Sequence, residues 1–456
     1  MDDAATKRAA LLVATLTSFL TPFMGSSVNI ALPSIGREFA MDAVLLGWVA
    51  TAYLLSAAMF LVPFGRIADI YGRKRIFTYG IFIFALSSLF SAIAPSAVFL
   101  VSCRVLQGIG SAMIFGTSIA ILTSVFPVSE RGKVLGINVA AVYSGLSLGP
   151  FLGGFLTQQL GWRSIFFLNV PLSLLIIAFT LWKLKGEWAG AKGEKFDFTG
   201  SVIYAVSLPA MMYGFTLLPA MSGAWLILIG VLGLVAFVKW EIGKESPVFD
   251  MNLFRNNRVF AFSNLASLIN YGATFAVTFL LSLYLQYTKG LDPQQAGTIL
   301  VAQPVVMAFF SPLAGRLSDK IEPRVVASIG MGFTMIALFL FTFLGQNTGL
   351  GFVITSLVVI GFGLALFSSP NTNAIMSSVQ KRYYGVAAAT LGTMRLTGQM
   401  FSMGIAMLVF ALYIGRVQIT PENYPLFLRS VKCAFIIFTA LCFGGIFASL
   451  ARGKVR

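Results

Sequence analysis

The chain has 456 residues, 57% of them hydrophobic and 11% charged, with 32 Lys and Arg against 16 Asp and Glu and no histidine. An ordinary soluble domain carries about a quarter charged residues, so this chain has too little polar surface to cover itself in water. Without histidine the usual zinc and iron ligand sets are missing, and Cys103, Cys433 and Cys442 fall in or beside apolar runs with no disulfide or metal-cluster spacing, so no metal site is expected.

Taken in chain order, the first apolar run starts at Ala9 and continues through "LTSFLTPFMGSSVNIALP" without a convincing small-residue cleavage site. It reads as a first span and not as a removable signal. Further runs such as "IFTYGIFIFALSSLFSAIA" and "AFIIFTALCFGGIFASL" follow to the end of the chain. Each meets the need for about 20 apolar residues to cross a hydrocarbon core, and the segmentation gives about fourteen spans. In lipid every backbone amide must be satisfied within its own segment, so the spans are read as helices. The expected fold class is an all-α polytopic membrane protein.

Sorting the Lys and Arg residues by side places 24 on the side of both termini and 6 on the other, with Arg104 and Arg395 inside spans. By the positive-inside rule both termini are expected to be cytoplasmic and the span number even. The basicity is thus a topology signal, and no nucleic-acid partner is expected.

Two polar stretches divide the chain: "KLKGEWAGAKGEKFDFTG" (183–200) and "KESPVFDMNLFRNNR" (244–258). They predict a six-helix bundle over 1–185, a linker with two extra helices over 186–247, and a second six-helix bundle over 248–456. The extra helices are expected near 200–219 and 223–243. "GRIAD" at Gly65–Asp69 and "GRLSD" at Gly315–Asp319 then end the second span of each bundle, as corresponding positions of an internal repeat. Such repeats mark secondary transporters with the substrate site between the halves.

In these pentapeptides Gly65 and Gly315 let a helix end pack closely, and Asp69 and Asp319 place a carboxylate at the rim to meet Arg or a helix N-terminus. Gly72 tightens the turn in "YGRKR". With Arg66, Arg73 and Arg316 these residues form the candidate conformational switch, whose ion pairs are expected at the seam between the halves. A basic loop with an incidental Asp is the alternative. In "GLSLGPFLGG" Gly145, Gly149 and Gly153 recur on one helix face, Gly154 follows, and Pro150 removes an intrahelical hydrogen bond. Plain packing is the alternative there to a hinge that seals the pathway.

At this point the residues resemble the major facilitator superfamily, in its fourteen-spanning drug:proton antiporter branch, over nearly the whole chain. "GRIADIYGRKR" resembles the signature loop between spans two and three, and "GRLSDKIEPR" its weaker counterpart. "RVLQGIGSAM" resembles the fourth-span motif through Arg104, Gln107 and Gly108, and "GLSLGPFLGG" the fifth-span antiporter motif. "GWRSIFFLNVP", "FDFTG", "LYLQYTKGLDPQQAG" and "SSPNTNAIMSSV" are similar to stretches of the same branch. The resemblance implies two six-helix bundles with two extra central helices, a hinge at Gly145, Gly149, Pro150, Gly153 and Gly154, and a part in proton coupling for Arg104. It also implies a monomer in the cell membrane that uses no cofactor beyond the proton gradient.

A cation inside a span needs a partner or a wet cavity. Arg104 is read either as a coupling residue or as paired with backbone carbonyls and Gln107, and Arg395 either as structural or as facing substrate. Asn29, Asn138, Asn270, Gln303, Asn371, Asn373 and Gln399 are candidate cavity residues, or else interhelical clamps. Where the branch often has a first-span Asp, this chain has Met24 in "FMGSSVNIALP", and no acidic residue falls at mid-membrane. Asp69 is the remaining acidic candidate for coupling. The expected function is proton-coupled export of lipophilic small molecules by rocking alternating access. The alternative is export or facilitation of an anionic or lipid-like metabolite with different coupling. An enzyme is not expected, given the absence of histidine and of a mid-membrane carboxylate pair. The lack of "GxxxxGK[ST]" argues against an ATP-driven pump.

Overall fold

The computed structural model describes residues 3–242, 244, 251–380 and 384–453. Four of the cations used for the sidedness reading (Lys381, Arg382, Lys454 and Arg456) and part of the second polar stretch lie outside these residues. Among the described residues 14 helical stretches are long and apolar enough to cross a membrane.

The first six are α1 (Asp3–Glu38), α2 (Ala43–Tyr71), α3 (Arg73–Ala92), α4 (Ala97–Val125), α5 (Val128–Leu160) and α6 (Arg163–Trp182). After the linker come α7 (Phe198–Leu217) and α8 (Met221–Ile242), one or two residues from the expected bounds, and a short helix α9 (Met251–Asn256) inside the second polar stretch. The ninth span is broken into α10 (Arg258–Thr274), α11 (Ala276–Leu283) and a π-helical turn (Tyr284–Thr288), and the tenth into α12 (Pro293–Leu300) and α13 (Ala302–Lys320). α14 (Pro323–Phe341), α15 (Leu350–Ser377), α16 (Tyr384–Tyr413) and α17 (Tyr424–Ala451) complete the chain.

Short polar residues start several helices by accepting from a free backbone N–H of the first turn. Asp42 Oδ1 accepts from Leu45 N (2.7 Å), Asp197 Oδ1 from Gly200 N (3.1 Å) and Asn257 Oδ1 from Phe260 N (2.9 Å). Asp292 and Gln295 form a reciprocal capping box at α12. The break between α10 and α11 has a side-chain cause: Ser402 Oγ of α16 accepts from Ala276 N (3.0 Å).

The repeat is visible in the packing. In the first bundle α1 lies on α5 and α6, α2 on α4, and α3 on α4 and α6. In the second, α10 lies on α16 and α17, α13 on α15, and α14 on α15 and α17, the same pairing of first with fifth and sixth, second with fourth, and third with fourth and sixth spans. The halves meet where α2 faces α16, α5 faces α12 and α13, and α1 faces α11. α7 straddles the α2–α16 seam, where Tyr204, Leu208 and Met212 pack with Leu55 and Met400, and the Tyr204 hydroxyl donates to Ala58 O (3.1 Å). α8 lies outside α7 and leaves Trp225 and Leu232 exposed, as an apolar helix in lipid can.

Candidate functional site

The far ends of the bundles, opposite the termini, are joined by hydrogen bonds to backbone carbonyls. Ala43 N donates to Val417 O (3.0 Å), Gln418 Nε2 to Ala40 O (3.0 Å), Ser282 Oγ to Asn29 O (2.7 Å) and Gln286 Nε2 to Ile30 O (2.9 Å). The glycine face of α5 divides its contacts between two jobs. Gly145, Gly149 and Gly153 press α5 onto α1 inside one bundle: a Cβ at Gly145 would overlap Phe19 O, one at Gly149 would overlap Ser26 Oγ, and one at Gly153 would lie 2.8 Å from Ser27 Cα. Ser27 Oγ donates to Gly149 O (3.0 Å) across the same contact. Gly154 instead meets the other bundle, where an added Cβ would overlap Pro293 O, and a Cβ at Gly297 would overlap Pro150 O. Close backbone approach, which only glycine permits, thus builds both the bundle and the seam.

At the terminus-bearing end, the α2–α3 turn is tied down by the linker. Gly72 adopts φ +120°, a conformation that favours glycine, and a Cβ there would lie 2.6 Å from Glu187 Cδ. The Glu187 carboxylate accepts from Lys74 N (2.8 Å) and Arg75 N (3.2 Å), capping α3 where the helix dipole favours an anion. Arg73 N donates to Trp188 O (2.8 Å), Ala191 N to Asp69 O (2.9 Å), and Arg66 pairs with Glu194. Asp69 holds Arg73 (2.7 Å), whose Nη1 also donates to Ala120 O (3.1 Å) on α4.

These contacts, like Lys7–Glu130 and Glu38–Arg163, stay within the first bundle or join it to the linker, so in this state the pentapeptide's ion pair does not lie at the seam. The reason is reach: Asp69 is only four residues from Arg73, across the Gly72 turn, and the second pentapeptide makes its own local contacts. Asn373 Nδ2 donates to Ser318 Oγ (3.1 Å) and Asp319 Oδ1 (3.4 Å), and Arg316 is exposed. A Cβ at Gly315 would lie 3.0 Å from Ser369 Oγ, whereas one at Gly65 would meet nothing within 4 Å. Close packing at Gly65 comes instead from Gly116 of α4, whose added Cβ would lie 3.3 Å from Gly65 Cα.

Arg104 is 1% exposed inside the first bundle. Its Nε donates to Val49 O (2.9 Å), its Nη1 to Gln107 Oε1, and its guanidinium lies 4.4 Å from the Tyr53 ring centroid. Gln107 Nε2 passes the chain on to Ser88 Oγ (2.7 Å), and a Cβ at Gly108 would overlap Tyr53 O, so α4 is pressed on α2.

Among the amides, Asn138 clamps α5 to α1 through Ser18 Oγ (2.8 Å), and Asn371 clamps α15 to α10 through Ser267 Oγ (2.7 Å). Asn29 and Asn270 are buried, and neither the Asn29 Oδ1 nor the Asn270 amide has a hydrogen-bond partner among the described residues. Gln303 and Gln399 are half-buried.

Arg395 Nη2 donates to Thr372 Oγ1 (2.8 Å) and its guanidinium lies 5.5 Å from the Tyr271 ring centroid. One turn from Thr372, Ser368 Oγ shares a hydrogen bond with Tyr143 (3.0 Å) and lies 3.4 Å from the Tyr271 hydroxyl. Tyr143 belongs to α5, so this group crosses between the bundles. Sequence reasoning missed Tyr143, Tyr271, Ser368 and Thr372, although a tyrosine two residues before the glycine face was a usable signal. It also missed Glu187 and Arg452. Arg452 counted as one more basic residue after the last span, yet it is 0% exposed and donates to Asn371 Oδ1 (2.8 Å) and Ser449 O (2.7 Å). Desolvation pulls its guanidinium down to about 10, opposed by the Glu322 carboxylate, so it stays cationic at neutral pH.

The described residues contain no group of three or more metal-ligating side chains. The family model described as Major Facilitator Superfamily matches residues 14–403 and 263–453. The riboflavin transporter RibZ of Clostridioides difficile is 29% identical over 96% of this chain and 95% of its own. The multidrug resistance protein Stp of Mycobacterium tuberculosis is 30% identical over 85% of this chain and 73% of its own. A crystal structure of a bacterial homologue of the human lysosomal transporter Spinster, in an inward-facing and unoccupied conformation, superposes with a TM-score of 0.68 at 16% identity, covering 98% of this chain and 97% of that one. Two bundles built on the same helix pairing, in close contact at Gly154 and Gly297, thus accompany a match along almost the whole chain: the protein is a multi-pass membrane transporter of the major facilitator superfamily.

Proposed function

We propose that the protein exports lipophilic small molecules by rocking its two bundles about a site between them, using the proton gradient. The observation that carries this reading is the seam between Pro150–Gly154 and Pro293–Gly297, where backbone packs on backbone across the halves. A seam of this kind holds tightly when closed and is lost as a unit when the bundles rotate, as a two-position gate requires. With the basic end in the cytoplasm of a cell-membrane protein, the seam closes the outer end and the cargo site faces inward. The name of the multidrug-resistance relative supports export of foreign compounds. Asp69, paired with Arg73, is the acidic candidate for the coupling step, Arg104 is a second and separate candidate within the same bundle, and the protein works as a monomer.

A second reading, transport of an anionic metabolite with other coupling, is favoured by Arg395, which forms no ion pair with a carboxylate among the described residues. The name of the riboflavin-transporting relative fits a polar aromatic cargo. Accumulation of cationic, neutral and anionic dyes in a pump-deficient bacterial host, with and without a proton uncoupler, tests both. Uncoupler-sensitive extrusion of lipophilic compounds is expected. Extrusion insensitive to the uncoupler would refute the coupling, and no extrusion of any compound by the expressed protein would refute export.

A further inference from the structure

The two embedded arginines differ in what the fold leaves them to do. Arg104 is enclosed by a carbonyl, an amide and an aromatic ring within one bundle. Arg395 keeps one side-chain hydrogen bond, to Thr372, and its Nε is buried with no hydrogen-bond partner among the described residues. A guanidinium has five N–H donors in a planar fork that matches a carboxylate or sulfonate, so most of its capacity is unused. The described acidic residues sit at helix ends and in loops, and the ion pairs they form do not include Arg395.

Around this cation are aromatic faces and hydroxyls. Tyr271 offers its ring beneath the guanidinium, and Tyr143 reaches from the opposite bundle to share Ser368 Oγ with it. Thr372 lies one turn from Ser368 on the same face of α15, its hydroxyl donating to Ser368 O (2.8 Å). Elements from both bundles therefore meet at a positive, aromatic, hydroxyl-lined point, where a planar ring can stack and an anion finds a guanidinium that forms no ion pair among the described residues.

We infer that Arg395, Thr372, Tyr271 and Tyr143 form the recognition point for an anionic aromatic cargo, a planar ring bearing a carboxylate, sulfonate or phosphate. This rests on the transporter reading above and narrows its substrate class. The anion lies against the Arg395 fork and the Thr372 hydroxyl, and the ring lies against the tyrosines. Because Tyr143 and Ser368 belong to different bundles, a bound ring touches both halves and its binding is sensitive to their rotation.

The test is equilibrium binding to the purified full-length protein in phosphatidylcholine nanodiscs, which supply no anionic lipid. Three probes share one ring: 2-naphthalenesulfonate, 2-naphthalenesulfonamide and a naphthylmethyl-trimethylammonium. The sulfonate is expected to bind at least about ten-fold more tightly than the sulfonamide, which corresponds to about 1.4 kcal/mol. Arg395→Gln should bring the sulfonate down to the sulfonamide's affinity while leaving the sulfonamide unchanged, which also reports a folded site, and Arg395→Lys should restore part of the difference. Tightest binding by the trimethylammonium probe, or a sulfonate affinity indifferent to Arg395→Gln, would overturn the inference while leaving export intact. Sulfonate binding that depends on Arg395, in a protein that extrudes nothing from cells, would instead refute export and keep the site.

Discussion

Replacing Gly154 by Ala isolates the seam from the bundle that carries it. The new methyl overlaps Pro293 O and lies 3.1 Å from Gln294 Cα, and both atoms are backbone, so no side-chain rotation relieves the contact. Overpacking of this kind costs about 1–3 kcal/mol. Here it is felt only while α5 and α12 touch, so it acts on the equilibrium between states and shifts it roughly 5- to 150-fold toward the form open at the far end. Gly149→Ala is the contrast. Its methyl overlaps Ser26 Oγ and lies 3.1 Å from Phe23 O, both on α1 in the same bundle, so its strain is present in either state. Spin labels at exposed Arg37 and Arg416, at the far ends of α1 and beyond α16, read the separation of the bundles by pulsed electron resonance. Gly154→Ala should enrich the longer distance with little change in melting temperature, and Gly149→Ala should lower the melting temperature with little change in distance. An unchanged distance distribution in folded Gly154→Ala protein would refute the idea that this glycine contact holds the seam.

Asp69→Asn should impair turnover more than membrane insertion, because the carboxylate that holds Arg73 against α4 is lost while the spans are untouched; full transport at normal expression would count against a switch role. Arg104→Ala should abolish coupled transport and also lower thermal stability, since it leaves Gln107 Oε1 buried without its donor at a cost of about 1–3 kcal/mol. Unchanged gradient dependence would reduce Arg104 to a structural residue. Glu187→Gln should weaken the hold on α3 by about 0.3–1 kcal/mol and speed tryptic cleavage at Lys183, Lys185 and Lys192; equal cleavage rates would show that the strap does not depend on that charge. Arg452→Ala should destabilise the second bundle by about 1–3 kcal/mol through the stranded Asn371 Oδ1, seen as a lower melting temperature without a change in the Arg37–Arg416 distance.

How far the chain could be read without coordinates depended on whether a feature is local. Span number, the central pair of helices and the matching places of Gly65–Asp69 and Gly315–Asp319 follow from apolar length and charge sidedness, which act along one segment at a time. The small face at Gly145, Gly149 and Gly153 was legible for the same reason, as helical spacing alone puts these residues in one row. What that row packs against was not legible: three of the glycines meet α1, while Gly154 meets the other bundle. The amides show the same limit, since Asn138 and Asn371 clamp helices within a bundle and Asn373 joins α15 to the second pentapeptide. Arg452 looked like any cation after a last span, and Arg104 and Arg395 looked alike. Only the folding together of distant spans encloses one arginine within a bundle, caps another against Asn371, and leaves the third over Tyr271 beside a hydroxyl cluster that Tyr143 joins from the other half. Hydropathy, charge bias and helical period are properties of neighbours in the chain, and so the sequence alone determined the spans and the repeat. The seam and the environment of each buried charge depend on which segments far apart in the chain come to lie side by side, and that was decided by tertiary packing.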